Sequence, residues 1–249
     1  MKNLNLSLFF LLLLSFSAYA QKKVAVVTFY VSKQIDFSEL DGSAQLAGDI
    51  MTLANDPAFD LKPALDNFHK VFFEDLSKEF PFELVDESLV INNEQYKAYE
   101  NVGTDSADED KGMAQTYIVA DGYKPLMERG KLSKDEVKAE LDMLKFFPDA
   151  DGVMFVFMDY SFEPKVAIGG NGTAGMKAFA RLKLYNRNGD KVFAKNEIGT
   201  SKKSVGMVSG IPVMDPNKLI PLCNNATEKL LEDLKKKIGK LSSKVDKKL

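Results

Sequence analysis

Residues Met176 to Asn186 alternate with a period of two. Ala178, Ala180, Leu182 and Leu184 point one way, and Lys177, Arg181 and Lys183 carry charge on the other side. Successive side chains leave a pleated strand on opposite faces, so this pattern is that of a half-buried strand. Asn186 to Asp190, NRNGD, holds an Asn-Gly pair that suits a tight hairpin turn, and Lys191 to Thr200 reads as the returning strand. Upstream, Asp151 to Phe162, DGVMFVFMDYSF, is nearly continuous apolar sequence and reads as a buried strand. Gly169 to Gly175, GGNGTAG, then reads as a flexible turn. The second half of the chain is thereby committed to an antiparallel meander of three strands, whose apolar face needs a cover.

Two amphipathic stretches supply it. From about Pro63 to Phe80, Leu65, Phe68, Phe72 and Leu76 form one helical stripe. From about Asn217 to Leu241, Leu222, Ala226, Leu230, Leu234 and Ile238 repeat every four residues, with Leu219 and Cys223 on the same side. Pro221 belongs in the first turns of that helix or marks a kink. Lys22 to Val31 reads as an opening buried strand and Phe82 to Asp86 as a short one. Asn92 and Gln95 are placed to cap a short helix reaching Tyr99. Ser133 to Glu136 is a capping box for a helix that continues through Val137, Leu141 and Leu144 to about Phe147. Ser32 to Lys62, with Gly42, Gly48 and Pro57, reads as an irregular insertion, Glu100 to Gly112 as an acidic loop, and Ser201 to Pro216 as a connection. The expected fold is α/β (α+β): a mixed sheet of about five strands in the order β-α-β-(α)-α-β-β-β-α, with helices packed on it.

Residues 1–20 carry a different signal. Lys2 precedes an apolar run from Leu6 to Phe16, and Ala18-Tyr19-Ala20 is a small-x-small cleavage site. The chain therefore reads as a signal peptide over 1–20 and a single α/β domain over 21–249. That domain has insertions near 32–62 and 100–130 and a Lys-rich C-terminal tail. Gln21 stands where a lipid-anchored protein has its cysteine, so the expectation is an exported protein, periplasmic or secreted and not lipid-anchored. Cleavage takes one of the 33 basic residues, leaving 32 against 36 acidic ones, a mild −4 that argues against a nucleic-acid binder. With Cys223 as the one cysteine, no internal disulfide can form.

Catalytic, cofactor and metal sites are not expected. His69, the one histidine, sits beside Phe68 and reads as a boundary residue of a packed helix. One histidine and one cysteine cannot supply the usual zinc ligand set, and Cys223 lies on the buried stripe of its helix. Asp105, Asp108, Glu109 and Asp110 cluster, but Gly112 is out of register for a calcium loop, so the segment reads as solvated. Asp159 and Glu163 are a conceivable carboxylate pair for a hydrolase. Better candidates for a partner contact are the apolar residues of the 201–216 connection, Val205, Met207, Val208, Ile211, Val213 and Met214, for which the other reading is packing over the sheet edge. The tail from Lys235 to Leu249, with seven lysines and one acid, reads as a solubilising helix end or as a contact to an anionic envelope surface.

Several segments together resemble a family of bacterial envelope modules: the amino-terminal domain of TolB, the curli-export lipoprotein CsgG and the penicillin-binding-protein activator LpoB. They are VAVVTF near the start, LDNFHKVFFEDLSKEFPFELVD, ADGVMFVFMDY, the hairpin AFARLKLYNRNGDKVFAKNEIGTS and the helix NATEKLLEDLKKKI. The likeness is one of element order over roughly two thirds of the mature chain. It implies an exported, non-catalytic binding or assembly module of the cell envelope, whose partner is another envelope protein. The sequence lacks a pair of alternating membrane-spanning hairpins, so pore formation is not carried over. The competing readings are a periplasmic hydrolase using surface carboxylates and a self-associating secreted structural protein.

Overall fold

The computed structural model describes residues 21–40, 44–99, 117–126, 139–239, 245 and 248–249. The signal-peptide reading of residues 1–20, the acidic loop 105–110 and the capping box at 133–136 lie outside them. The elements are β1 (Lys23–Asp36), α1 (Ala44–Asn55), α2 (Lys62–Glu74), β2 (Glu83–Leu84), α3 (Glu87–Ile91) and α4 (Glu94–Ala98). They continue with β3 (Tyr117–Val119), α5 (Ala139–Phe146), β4 (Gly152–Ile168), β5 (Asn171–Asn186), β6 (Lys191–Thr200), β7 (Val205–Val208), β8 (Ile211–Pro212) and α6 (Pro216–Ile238). A turn of 3-10 helix, Leu76–Glu79, extends α2.

The architecture is a mixed α/β sheet that stays open. β1 runs parallel to β2 and β4, while β4, β5 and β6 form the expected antiparallel meander. β3 adds antiparallel to β1, and the β7–β8 hairpin joins β5 at its Gly172–Ala174 end. The period-two reading of β5 holds in detail. Ala178, Ala180, Leu182 and Leu184 are fully buried, and Lys177, Arg181 and Lys183 stand on the opposite face.

The apolar face of the sheet is covered by α6 over β5 and β6, with Leu222, Cys223, Ala226 and Leu230, and by α2 over β1, with Phe68 and Phe72. Phe29 on β1 is the centre of the packing, with ring centroids 5.0 Å from Phe68 and 5.4 Å from Phe72. The Tyr160 hydroxyl crosses to α6 and shares a hydrogen bond of 2.7 Å with Thr227. Glu197 on β6 is buried between Lys195 and Lys237. Burial alone would raise its carboxyl, but hydrogen bonds from the two lysines outweigh that and hold it below the usual range.

The opposite face of the sheet has a smaller core at one end only. There α3, α4 and α5 place Val90, Tyr96, Met143 and Leu144 against Ala25, Val27, Val153 and Phe155. A first bulge at Val27 opens the β1–β4 ladder, and the Tyr96 hydroxyl donates to the Val27 carbonyl at 2.9 Å. The freed backbone oxygen is thus satisfied from the covering helix.

Five expectations need correction. Residues 32–62 are not irregular throughout: β1 runs on to Asp36, and α1 buries Leu46, Ile50, Leu53 and Ala54 at helical spacing. Gly42 and Gly48 suggested a loop, but the apolar period across Gly48 decided. β4 does not end at Phe162 but continues to Ile168, because Pro164 falls at a register shift where the ladder is already interrupted. The 169–175 turn shrinks to Gly169-Gly170, with the rest in β5. The 201–216 connection contains a hairpin of its own, β7–β8, and the helix before Tyr99 is capped by Asn93, whose side chain accepts from Tyr96 N, rather than by Asn92.

Candidate functional site

Beyond Phe155 the second face of the sheet has no covering helix among the described residues. Cross-strand register sets what stands there. Tyr30, Phe157 and Arg181 form one row across β1, β4 and β5, with Asp159 and Phe179 in the next row and Ile198 beside them on β6. Tyr30 and Phe157 lie nearly parallel, 5.5 Å between centroids, and Tyr117 of β3 meets Tyr30 edge-on at 5.2 Å. The Arg181 guanidinium and the Lys183 ammonium both sit over the Phe157 ring, at 5.7 and 5.3 Å. Arg181 and Ile198 are exposed.

A second bulge makes a cleft at this end. Val31 pairs with Met158 and Ile35 with Tyr160, so Ser32, Lys33 and Gln34 together oppose the single residue Asp159. Such bulges bend a strand away from its neighbour and re-aim side chains. The bulge closes on itself through the backbone N–H of Gln34, which donates to Ser32 Oγ at 3.1 Å, and Lys33 Nζ turns inward to donate to the Asp56 carbonyl at 3.2 Å. Burial holds the Lys33 amine below its ordinary range against the opposing charges of Asp60 and Asp56. The opening left beside Asp159 is a cleft of about 450 Å³ with Ser32, Gln34, Asp36, Tyr117 and Arg181 on its rim and Ile50 and Met51 in its wall. That size is within the range of small-ligand sites, ~300–1,000 Å³.

Asp159 is the electrostatic centre. Its carboxylate lies 3.2 Å from Arg181 Nε. Burial raises its pKa, the nearby Asp36 raises it further, and Arg181 only partly offsets them. Burial also raises the Tyr30 hydroxyl, with Asp159 adding to the effect. A carboxyl whose folded-state pKa is raised binds its proton more tightly folded than unfolded. Its charge therefore costs stability at neutral pH, and the cost fades as pH falls toward the ordinary Asp value of about 3.9. Asp159→Asn is accordingly expected to keep or raise the thermal midpoint at pH 7. It leaves Arg181 without its carboxylate, a half-exposed pair worth about 1 kcal/mol or less. The gap to the parent should narrow near pH 4 in a melting series. A midpoint at pH 7 well below the parent would mean that the carboxylate is structural.

The chemistry available is recognition by a carboxylate, a guanidinium, hydroxyls and aromatic faces. Glu163 does not complete a hydrolytic pair with Asp159. The two stand four residues apart on one strand, about 13 Å at the usual rise, beyond the ~5–9.5 Å between carboxylates in glycosidases. Glu163 is instead held by Lys165 and by Lys177, 3.4 Å away; burial would raise its carboxyl, but these lysines outweigh that and keep it below the usual range. His69 lies across the sheet, its ring 5.0 Å from Phe29 and its Nε2 2.5 Å from Glu87 Oε1. Cys223 is buried on that same helix-covered side, and burial raises its thiol. Among the described residues no group of three or more His, Cys, Asp or Glu could hold a metal ion.

The six apolar candidates of the 201–216 segment are divided by the β7–β8 hairpin. Val205 and Met207 are buried at 5 % exposure and belong to the main core, and Ile211 and Met214 pack against it. Val213 is half-buried, and Val208 faces solvent at 64 %. The Lys-rich tail is likewise partly committed: Lys235 pairs with Asp75, Lys236 with Asp233 and Lys237 with Glu197.

No family model and no curated protein matches the chain. Among solved structures the chain is similar to a Helicobacter pylori protein described as a homolog of neuraminyllactose-binding hemagglutinin. Identity is 10 % over 90 % of each chain, with a TM-score of 0.33. At that score the likeness fixes neither topology nor function.

Proposed function

We propose that this protein is an exported, non-catalytic binding or assembly module of the bacterial cell envelope, and that it meets its partner with the uncovered half of its sheet. The observation that carries this reading is the row Tyr30, Phe157, Arg181 with Asp159 and Ile198 beside it: aromatic, charged and apolar groups on a rigid sheet, next to a cleft. Aromatic and arginine side chains are the groups that most often anchor protein interfaces. Asp159 is half-buried at a cost in stability, which fits a residue retained for recognition. Export rests on the leader-like residues 1–20. Among the described residues no helix is long and apolar enough to cross a membrane.

A photo-crosslinking residue placed at Ile198, in cells of the protein's own source, tests the reading. The expected result is an adduct with one envelope protein, lost when Arg181→Glu is added. The same probe at Leu89, exposed at 65 % beside the small core, should not give that adduct. Adducts of equal pattern from both positions, or none from Ile198, would rule out the sheet face as the contact. An adduct at twice the chain mass would favour self-association instead.

A further inference from the structure

The far end of the sheet is built differently from the rest of the molecule. β4 and β5 run past the meander and close through Gly169-Gly170, and the β7–β8 hairpin closes beside them through Ser209-Gly210. All four turn residues have positive φ, between 52° and 81°, the conformation of a tight two-residue hairpin turn. The two turns are tied to each other: Gly210 N donates to the Gly170 carbonyl at 2.6 Å and Ser209 N to Asn171 Oδ1 at 3.2 Å. A Cβ at Gly170 would press on the Gly210 backbone at 3.2 Å.

This double tip carries no ionisable side chain. Val166 to Met176 and Ser204 to Met214 are both without Asp, Glu, Lys, Arg or His. The pairing of Gly172 with Met207, and of Val166 with Thr173, puts Val166, Ile168 and Val208 on one face. They are 59 %, 81 % and 64 % exposed, among the most exposed large apolar side chains described. Behind them lies a collar of charge. Lys165 and Lys177 bracket Glu163, Lys177 also reaches Glu39 at 2.7 Å, and the exposed Lys202 and Lys203 follow β6, where Ser201 N is tied to the Met176 carbonyl at 2.8 Å. With Asp36, which shares a cross-strand row with Lys177, four lysines face three acids, and the collar's net positive charge sits at Lys202 and Lys203. Lys165 stands about 10 Å behind Ile168 at the strand rise, the depth to which an interfacial apolar face enters a bilayer surface.

We propose that the paired hairpin tip docks on an anionic lipid surface, with Ile168, Val166 and Val208 entering the interface and the lysine collar meeting the headgroups. Backbone groups tied together at the tip suit a poorly hydrated layer, where free N–H and C=O groups are costly. The collar supplies the attraction to negative charge. The C-terminal lysines are not part of this contact. Leu249 packs at Gly152, the start of β4, about 50 Å of strand away from Ile168. The tip continues the uncovered face but lies ten residues along β5 from Arg181, about 33 Å at the strand rise, so either contact can fail alone.

The chain contains no tryptophan, so a single added one reports without background. The Ile168→Trp variant of the mature chain is mixed with vesicles of phosphatidylglycerol and phosphatidylethanolamine, and separately with phosphatidylcholine vesicles. The expected result is a blue-shifted emission, quenched by brominated acyl chains, with the anionic vesicles only. Cosedimentation should weaken roughly tenfold or more in Ile168→Asp/Val208→Asp, and in Lys202→Glu/Lys203→Glu. Both replace exposed side chains, so unchanged melting curves will show that the fold is kept. The Leu89→Trp variant should give no shift. No shift from Ile168→Trp, an equal shift from Leu89→Trp, or a concentration-dependent shift without vesicles that tracks dimer formation by light scattering would each overturn the proposal.

Discussion

Phe29→Ala is expected to remove about 3–5 kcal/mol of unfolding free energy, a large fraction of the roughly 5–15 kcal/mol that domains commonly have. Phe29 is fully buried at the point where β1 meets α2. Besides Phe68 and Phe72, its ring touches His69 at 5.0 Å, Phe73 at 6.2 Å and Tyr123 at 6.3 Å. The loss has two parts. The transfer energy of the ring goes, and the cavity left behind cannot close, since its walls are rings held by α2 and by the segment after β3. Urea unfolding followed by circular dichroism measures it: the midpoint falls, with the slope unchanged if unfolding stays two-state. Leu89→Ala, at an exposed apolar residue of the same chain, should change stability by less than about 0.5 kcal/mol. Should Phe29→Ala cost no more than Leu89→Ala, the aromatic centre described here is wrong.

The parts of the fold that could be read from sequence are those where one period ran undisturbed. The alternation from Ala178 to Leu184 and the four-residue repeat from Leu222 to Ile238 each specify one buried face, and both faces are buried. Where two signals conflicted, the weaker-looking one sometimes won. Gly48 argued against a helix, yet Leu46, Ile50 and Leu53 form a buried stripe, and Gly48 lies on the opposite side. Pro164 argued for a strand end, yet it occupies a shifted register where its missing N–H matters little. The β7–β8 hairpin is written in Val205 to Val208, whose burial alternates, and in the Ser209-Gly210 turn.

The candidate site was harder to see for a different reason. Tyr30, Phe157 and Asp159 sit in runs so apolar that a strand buried on both sides was the natural reading. What distinguishes them is which strand face lacks a helix, and that depends on the placement of α3, α4 and α5. The cleft depends on register as well. Nothing in the triplet Ser32-Lys33-Gln34 announces that it opposes one residue on a strand more than a hundred positions later. Arg181, by contrast, was legible as a charged residue on the outer side of β5. A pairing of strands far apart in sequence thus makes the site, while local pattern makes the elements that carry it.

Gly199 shows how closely those elements are fitted. It lies on β6 directly under α6, and a Cβ there would fall 2.1 Å from Leu230 N, 2.4 Å from the Ala226 carbonyl oxygen and 2.5 Å from Leu230 Cα. These are backbone atoms, so no side-chain rotation relieves the overlap; the helix must rise off the sheet or the strand must bend away. Either movement disturbs the contact of Ala226, Leu230 and Leu234 with the sheet. Gly199→Val is therefore expected to cost about 3 kcal/mol or more, the upper end of overpacking penalties, and to lower both the thermal midpoint and the yield of folded protein. Gly48→Ala provides the opposite sign from the same residue type. Its Cβ meets nothing within 4 Å on the solvent side of α1, so the change should stabilise by roughly 0.5–1 kcal/mol through helix propensity. A Gly199→Val protein that melts like the parent would mean that α6 does not lie on β6 at that distance, and the buried Glu197 between Lys195 and Lys237 would then lose its enclosing wall as well.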